Sequence, residues 1–144
     1  MRSSVTATTA SRLDVVLDTS AIIAILLGES PSARLIGAMQ TDPIRSVSAA
    51  TVVESSLVLL GRYGEVAEVQ LDLFLREIAA EVVPVGEEHA RLARDAAIRF
   101  GGGRHPAGLN FGDCFSYALA VARGEPLLFV GDDFSRTDVA VAPW

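Results

Sequence analysis

The sequence predicts an α/β fold in which helices cover both faces of a mainly parallel sheet. Short runs of β-branched and aliphatic residues alternate with longer segments of helical periodicity, which is the pattern of βαβ units. The length of 144 residues suits one domain. Half of the residues are apolar, so a core can form without disulfides or a structural metal.

The first half of the chain contains two predicted strands, each followed by helical sequence. The first strand leads directly into Asp18, Thr19 and Ser20, residue types that start helices, and the helix after them stops at Gly28. Pro31 suits the first turn of the next helix. The predicted elements are strands over 13–17 and 44–48 and helices over 21–27, 33–39, 49–61 and 65–79.

The second half repeats the alternation. We predict strands over 81–85 and 127–130 and helices over 87–100 and 111–123. Three glycines at 101–103 follow the first of these helices, where they act as a terminator and a flexible loop rather than a phosphate-binding loop. Residues 131–134 suit a turn or short helix, and residues 139–141 suit a final edge strand.

Composition excludes several chemistries. The single cysteine, Cys114, rules out a disulfide framework and a cysteine-rich zinc site, and two histidines, His89 and His105, rule out a multi-histidine metal cage. All 12 basic residues are arginine, which excludes mechanisms that need a lysine, such as P-loop NTPases and Schiff-base enzymes. The net charge of -6 argues against a passive nucleic-acid binder but not against a nuclease whose metal ions carry the positive charge.

No membrane span is predicted. The longest apolar run, residues 21–27, is far shorter than the ~18 residues that a transmembrane helix needs. Residues 1–12 are rich in Ser, Thr and Ala and lack the apolar stretch of a secretory signal. We therefore expect a disordered leader over 1–12, one domain over 13–144 and a cytoplasmic location.

Acidic residues follow the predicted strands or lie near the starts of predicted helices. Asp18 closes the first strand, and Asp132 and Asp133 follow the strand at 127–130. Asp113 lies in the first turn of its helix, and Glu54 lies in a helix that otherwise carries no charge through residue 60. Because strand ends and the starts of the following helices share one edge of a parallel sheet, these carboxylates are expected to converge.

Convergence requires a counter-charge. Two like charges 4 Å apart repel by roughly 1 kcal/mol in water and by about 4 kcal/mol at an effective dielectric constant of 20. A divalent cation bound by oxygen ligands removes the conflict, and Mg²⁺ or Mn²⁺ are the ions that such ligands favour. Metal-assisted hydrolysis of a phosphodiester is the reaction class that fits.

Structural explanations compete at each position. Asp18 can simply cap a helix, and Asp113 stands three residues after Asn110 in a variant of the capping box. The pair Asp132 and Asp133 is common turn chemistry. Two further residues, Arg104 and His105, lie in a loop where they either contact an RNA backbone or are solvated.

The motifs together resemble a known family. Val-Leu-Asp-Thr-Ser-Ala at 16–21, Val-Glu at 53–54, Arg-His-Pro-Ala-Gly-Leu-Asn-Phe-Gly-Asp-Cys-Phe at 104–115 and Phe-Val-Gly-Asp-Asp-Phe at 129–134 resemble PIN-domain ribonucleases. More narrowly, they are similar to the VapC toxins of bacterial type II toxin–antitoxin systems. The resemblance implies a three-layer α/β/α sandwich. It also implies a Mg²⁺- or Mn²⁺-dependent endoribonuclease that cuts RNA, often tRNA or rRNA, with water activated by one or two metal ions.

The resemblance also implies roles for individual residues. The family's two metal-binding aspartates fall on Asp18 and Asp113, and its glutamate falls on Glu54. Its last acidic position falls in the Asp132–Asp133 pair, and the choice between the two stays open. Polar positions that usually support the metal ligands fall on three further residues, Thr19, Ser20 and Asn110.

Partners follow from the same resemblance. Such toxins usually form homodimers and are neutralised by a VapB antitoxin whose C-terminal segment covers the acidic groove. The apolar helices at 21–27 and 49–60 are expected surfaces for both contacts, although apolar helices also form cores.

Two other functions compete with this one. The first is a non-catalytic PIN-like module that binds a cation or a basic peptide. The second is a phosphatase of the haloacid dehalogenase type, which needs a second aspartate where Ser20 stands and generally a lysine.

Overall fold

The computed structural model describes residues 14–40 and 44–144, in which four parallel strands form one sheet in the order β3-β2-β1-β4. The strands are β1 (Val15–Leu17), β2 (Arg45–Ser48), β3 (Glu81–Val83) and β4 (Leu127–Leu128). The predicted parallel sheet is therefore confirmed. The predicted leader, residues 1–12, lies outside the described residues.

Six α-helices flank the sheet in the described ranges. They are α1 (Thr19–Leu26), α2 (Ser32–Gln40), α3 (Ala49–Tyr63), α4 (Val66–Glu77), α5 (Glu87–Phe100) and α6 (Phe111–Arg123). The bounds of α5 and α6 agree with the prediction. None of these helices has the length and apolar character needed to cross a bilayer.

Side chains of the central strands alternate between two cores, one on each face of the sheet. Val16 of β1 and Leu127 of β4 pack with residues of α5 and α6. Their neighbours Leu17 and Leu128 pack with residues of α1, α2, α3 and α4. This alternation follows from the two-residue period of a strand, and it requires a strand that is apolar on both faces. The fold is thus the expected three-layer α/β/α sandwich.

Two predicted strands end earlier than expected, and a third does not form. The strand predicted over 81–85 stops at Val83, because Pro84 has no N–H to continue the ladder. The strand predicted over 127–130 stops at Leu128, since the Val130 N–H donates to the hydroxyl of Ser20 instead. The strand predicted over 139–141 was wrong, because the segment forms only one isolated bridge, between Leu127 and Val141.

Candidate active site

Asp18 lies directly after β1, at the carboxyl edge of the sheet, and is only 2% exposed. One carboxylate oxygen, Oδ2, accepts from the Ser20 N–H at 3.0 Å and from the Ser20 hydroxyl at 2.7 Å. The other, Oδ1, accepts from the Ser116 hydroxyl at 2.6 Å. Asp18 is therefore the N-cap of α1, which confirms the capping role predicted for it. Its carboxylate is also fixed at the edge of the sheet where a ligand would bind.

Glu54 reaches the same edge from α3. Its Oε1 accepts from the Thr19 hydroxyl at 2.5 Å, and the Ser55 hydroxyl donates to Thr19 in turn at 3.5 Å. Burial raises the pKa of Glu54 above its ordinary value, the Thr19 hydrogen bond opposes this shift, and the charge of Asp18 adds to it. The glutamate is thus held in place and lies within the field of a second carboxylate.

Asp113 approaches from the first turn of α6. Its Oδ2 accepts from the Asn110 N–H at 3.0 Å, while the Asn110 side chain accepts from the Asp113 N–H at 2.8 Å, which completes the predicted capping box. Burial, together with the smaller effect of the charges of Asp18, Glu54 and Asp133, raises the pKa of Asp113 to about 7, and the Asn110 hydrogen bond opposes this shift.

Four predicted carboxylates therefore share one region, which we call the carboxylate cluster: Asp18, Glu54, Asp113 and Asp133. Asp133 is exposed in the turn after β4 and acts on Asp113 through its charge. Asp132, also exposed, is not among the groups that act on Asp113, and its backbone carbonyl accepts from the Ser135 hydroxyl at 2.7 Å. Of the undecided pair, the structure brings Asp133 toward the cluster.

Hydroxyl and amide groups predicted to support the site do contact its carboxylates. Ser20 and Thr19 donate to Asp18 and Glu54, and Asn110 forms the capping box with Asp113. Two further residues, Ser116 and Thr51, were not predicted. Their buried hydroxyls lie 3.2 Å apart, and the Ser116 hydroxyl also donates to Asp18. Their spacing was informative: Ser116 follows Asp113 by three residues and Thr51 precedes Glu54 by three, so each pair shares a helix face.

Gly112 was also missed, and it leaves space for the Glu54 side chain at the start of α6. A Cβ atom at this position would overlap with the carboxylate of Glu54. Glycine is therefore required for close approach and not for an unusual backbone angle, since only this residue type leaves room for the glutamate.

The other singled-out residues have different surroundings. His105 accepts from the Ala107 N–H at 3.0 Å and packs edge-to-face on Phe100 at 5.1 Å, so its ring is held in the loop that it stabilises. Arg104 is exposed and lines a cavity beside α6. The Cys114 thiol donates to the Asn110 carbonyl, and burial raises its pKa, which disfavours a nucleophilic thiolate.

The carboxylate cluster suits a hard divalent cation. Within residues 14–40 and 44–144, no group of three His, Cys, Asp or Glu side chains forms a ready metal cage. Mg²⁺ does not need one, because it keeps several waters and takes one or two carboxylates from the protein. The pKa values of Glu54 and Asp113 are both raised in part by neighbouring carboxylates, and a bound cation would relieve that repulsion. The role of these residues as metal ligands stays a prediction.

Comparisons with known proteins match most of the chain. A family model described as the PIN domain matches residues 15–140. Ribonuclease VapC of Mycolicibacterium smegmatis is 48% identical over 126 residues, covering 88% of this chain and 98% of the relative. Ribonuclease VapC30 of Mycobacterium tuberculosis is 47% identical over the same length, covering 88% of this chain and 96% of the relative.

Solved structures share the fold at low sequence identity. Mycobacterium tuberculosis VapC20, described as a sarcin–ricin loop cleaving toxin, superposes with a TM-score of 0.73 at 21% identity, covering 90% of this chain and 99% of that one. A toxin–antitoxin complex from Klebsiella pneumoniae superposes with a TM-score of 0.66 at 16% identity, covering 90% and 98% of the two chains.

The raised pKa of Asp113 predicts that its carboxylate weakens the metal-free fold. The folded chain holds this proton up to about pH 7, whereas the unfolded chain releases it near 3.8, so the free energy of unfolding falls as the pH rises between these values. Asp113→Asn keeps an oxygen acceptor for the Asn110 N–H. We expect it to raise the melting temperature at pH 8 by about 3 °C, which corresponds to roughly 1 kcal/mol for a domain of this size.

Thermal unfolding in EDTA at pH 5 and pH 8 checks this expectation. The gain should shrink at pH 5, where the wild-type carboxyl is already protonated in the fold. Asp72→Asn, an exposed acid on α4, is the matched control and should change the melting temperature at neither pH. A lower melting temperature for Asp113→Asn at both pH values would mean that the carboxylate stabilises the fold.

Proposed function

We propose, since the chain belongs to the PIN-domain family and within it to the VapC ribonucleases, that it cuts RNA at the carboxylate cluster. It is an endoribonuclease and the toxin of a VapBC-type toxin–antitoxin pair. Its substrate is RNA, with tRNA and rRNA as the expected targets. A cytoplasmic location follows from that substrate.

The observation that carries the proposal is the electrostatic coupling of carboxylates from separate parts of the fold. Asp18 follows β1, Glu54 lies on α3 and Asp113 starts α6, yet the charges of the first two raise the pKa of the third. A cluster of this kind costs stability, because burial and repulsion both oppose ionisation. Carboxylates that lower the stability of the fold and lie at the carboxyl edge of a parallel sheet are typical of a functional site.

Metal dependence is general in this family, and we propose Mg²⁺ or Mn²⁺, as one or two ions. Asp18 and Asp113 would hold the ion, with Glu54 and the Asp132–Asp133 pair as further oxygen donors, of which Asp133 is favoured by its effect on Asp113. When bound, such an ion supplies a Lewis acid for the phosphoryl oxygen and lowers the pKa of water.

The chain's own hydroxyl groups position the carboxylates for this role. Ser20 and Ser116 occupy both oxygens of Asp18 from one side, and Thr19 fixes one oxygen of Glu54. Residues that hold a ligand's orientation in this way commonly change metal affinity or activity by about 10- to 100-fold when they are removed. The site is thus a set of pre-oriented donors rather than loose surface acids.

An apolar groove supports the proposal of an antitoxin partner. The ends of α1 and α3 and the start of α4 enclose a groove of about 230 Å³, whose walls include Leu26, Tyr63 and Val66. Solved relatives of this fold include toxin–antitoxin complexes from Klebsiella pneumoniae and Rickettsia felis. We propose that a VapB-type segment binds here and presents a basic side chain to the carboxylate cluster, and that the toxin is a homodimer.

Removal of either metal-binding aspartate is expected to abolish cleavage and preserve the fold. Asp18→Asn and Asp113→Asn should each lower the rate of RNA cleavage in Mg²⁺ by more than about 100-fold, since each removes an anionic donor. The rate is measured with purified protein, and Asp72→Asn is the control that should cleave like the wild type. Wild-type cleavage by Asp113→Asn would show the site assignment to be wrong.

Sequencing of cellular RNA ends after induced expression identifies the substrate. New ends should appear with the wild type and be absent with Asp18→Asn. Cleavage by the purified wild type should also stop in EDTA. A wild type that cuts no RNA under any of these conditions would favour the non-catalytic binding module.

Gly112→Ala tests whether the placement of Glu54 matters for cleavage. The added methyl group overlaps with the glutamate carboxylate, so Glu54 must turn away from Thr19. We expect a loss of cleavage of about tenfold or more with a largely unchanged circular dichroism spectrum. Gly61→Ala on α3 is the matched control, because a Cβ atom there meets nothing within 4 Å. Equal activity of the two variants would remove Glu54 from the mechanism.

Charge introduced at the apolar surface tests the partner proposal. Val66 lines the groove and is 74% exposed, so glutamate there should leave the fold intact and abolish antitoxin binding. Leu57 of α3 lies outside the groove and is 64% exposed, and glutamate there should leave the fold intact and abolish dimerisation. Leu59 is unsuitable for this test, because it is only 2% exposed and glutamate there would disrupt the core. Co-purification with the antitoxin and light scattering give the readouts, and unchanged association in both variants would contradict the proposal.

A further inference from the structure

A second cavity adjoins the carboxylate cluster and is not explained by the chemistry above. It has a volume of about 480 Å³ and lies between α5, the glycine loop at 101–103 and the start of α6. Its floor is apolar, formed by small residues of α5 such as Ala93 and Ala97. The volume is within the range of about 300–1,000 Å³ that small-molecule sites occupy.

Phe111 stands at this cavity and is 80% exposed. The local fold does not require an aromatic residue here, because Asn110 and Asp113 already supply the capping box that starts α6. Phe115 contacts the Phe111 ring edge-to-face, with ring centroids 4.9 Å apart. The ring is thus supported on one side and open to solvent over most of its surface, which is the arrangement of a stacking platform.

Two arginines, Arg94 and Arg104, line the same cavity. Within residues 14–40 and 44–144, the ion pairs involve Arg99 and Arg123, and neither cavity arginine takes part in one. In a chain with a net charge of -6, two such cations beside an apolar floor are complementary to a polyanion that also carries flat apolar groups. Single-stranded RNA has both properties, since its phosphates are charged and its bases stack on aromatic rings.

The cavity and the carboxylate cluster share a residue. Asn110 lines the cavity, and its backbone N–H and side chain both bond to Asp113. Phe111 and Asp113 are two residues apart at the start of one helix, roughly 3 Å along its axis but about 200° around it, so their side chains leave α6 on different sides. A strand whose phosphate lies at the cluster must therefore pass over the start of α6 to place a neighbouring base on Phe111.

We propose that this cavity binds an unpaired base next to the scissile phosphate, with the base stacked on Phe111 and the adjoining phosphates contacted by Arg94 and Arg104. The inference rests on the proposed ribonuclease function and adds to it a base-binding subsite, formed by Phe111 and the two arginines. Stacking of this kind tolerates every base, so the cavity selects unpaired structure more than sequence.

Binding of a fluorescein-labelled single-stranded 12-mer of adenylate tests the stacking step. All proteins carry Asp18→Asn so that the probe stays whole. Phe111→Ala should weaken binding by about fivefold or more, and Phe111→Trp should restore it. Ile98→Ala, an exposed apolar residue of α5 that does not line the cavity, is the matched control. In a probe that contains 2-aminopurine, the aromatic variants should quench the fluorescence and Phe111→Ala should not.

Salt dependence tests the two arginines. Arg94→Gln and Arg104→Gln should each flatten the slope of log K against log salt concentration by about 0.7, the value for one phosphate contact on a single strand. Arg91→Gln on the exposed surface of α5 should leave the slope unchanged. Unchanged slopes in both cavity variants would overturn the assignment of the arginines to phosphate.

Parallel cleavage assays with the native Asp18 separate this inference from the proposed function. If the wild type cuts RNA and Phe111→Ala binds and cuts as well as it does, the cavity is not a base site while the ribonuclease function stands. If the wild type cuts no RNA, the proposed function fails and this inference with it. If Phe111→Ala converts a dimer into a monomer by light scattering and leaves RNA affinity unchanged, a second copy covers the cavity and the inference is overturned.

Discussion

The repulsion among carboxylates at one edge of the sheet is the constraint on which the rest of the site depends. Asp18 is almost fully buried, Glu54 and Asp113 are partly withdrawn from water, and the charge of Asp18 raises the pKa of both of these residues. Such an arrangement survives only if the surrounding fold holds it. The apolar strands buried on both faces supply that rigidity, and hydroxyl groups on α1 and α6 neutralise part of the cost by donating to the carboxylates.

The fold was largely predictable because its determinants are local. Alternation of short apolar strands with amphipathic helices defines a parallel α/β sheet. The end of α5 at Gly101 and the start of α6 after Asn110 follow from residues that the sequence displays. The misjudged strand ends have different causes. Pro84 could have been read as a stop, whereas the bond from the Val130 N–H to the Ser20 hydroxyl joins residues 110 positions apart. No local sequence pattern predicts that a hydroxyl so far away in the chain replaces the hydrogen bond of the sheet.

The candidate site likewise contains residues that the sequence predicts and residues that it does not. Carboxylates at strand ends were predictable by position, because the topology of a parallel sheet brings those positions together. Ser116, Thr51 and Gly112 were not, since hydroxyls and glycines are common in helices for many reasons. Their roles depend on what lies opposite in the fold, namely Asp18 for the hydroxyls and Glu54 for the glycine. The choice between Asp132 and Asp133 likewise needed the geometry of the turn after β4.

An acidic enzyme that acts on a polyanion faces a conflict of charge, and the structure separates its two parts in space. The negative groups are gathered where a cation can neutralise them, while two arginines without ion-pair partners in the described ranges lie on the far side of Asn110. Surface charges more than about 10 Å apart are largely screened at 0.1 M salt. Because the negative net charge does not attract RNA, short-range contacts must supply the affinity for it. Stacking is such a contact, since it does not depend on the sign of the protein's charge. An exposed aromatic ring beside a carboxylate cluster is therefore what an acidic nuclease without lysine would need in order to hold its substrate.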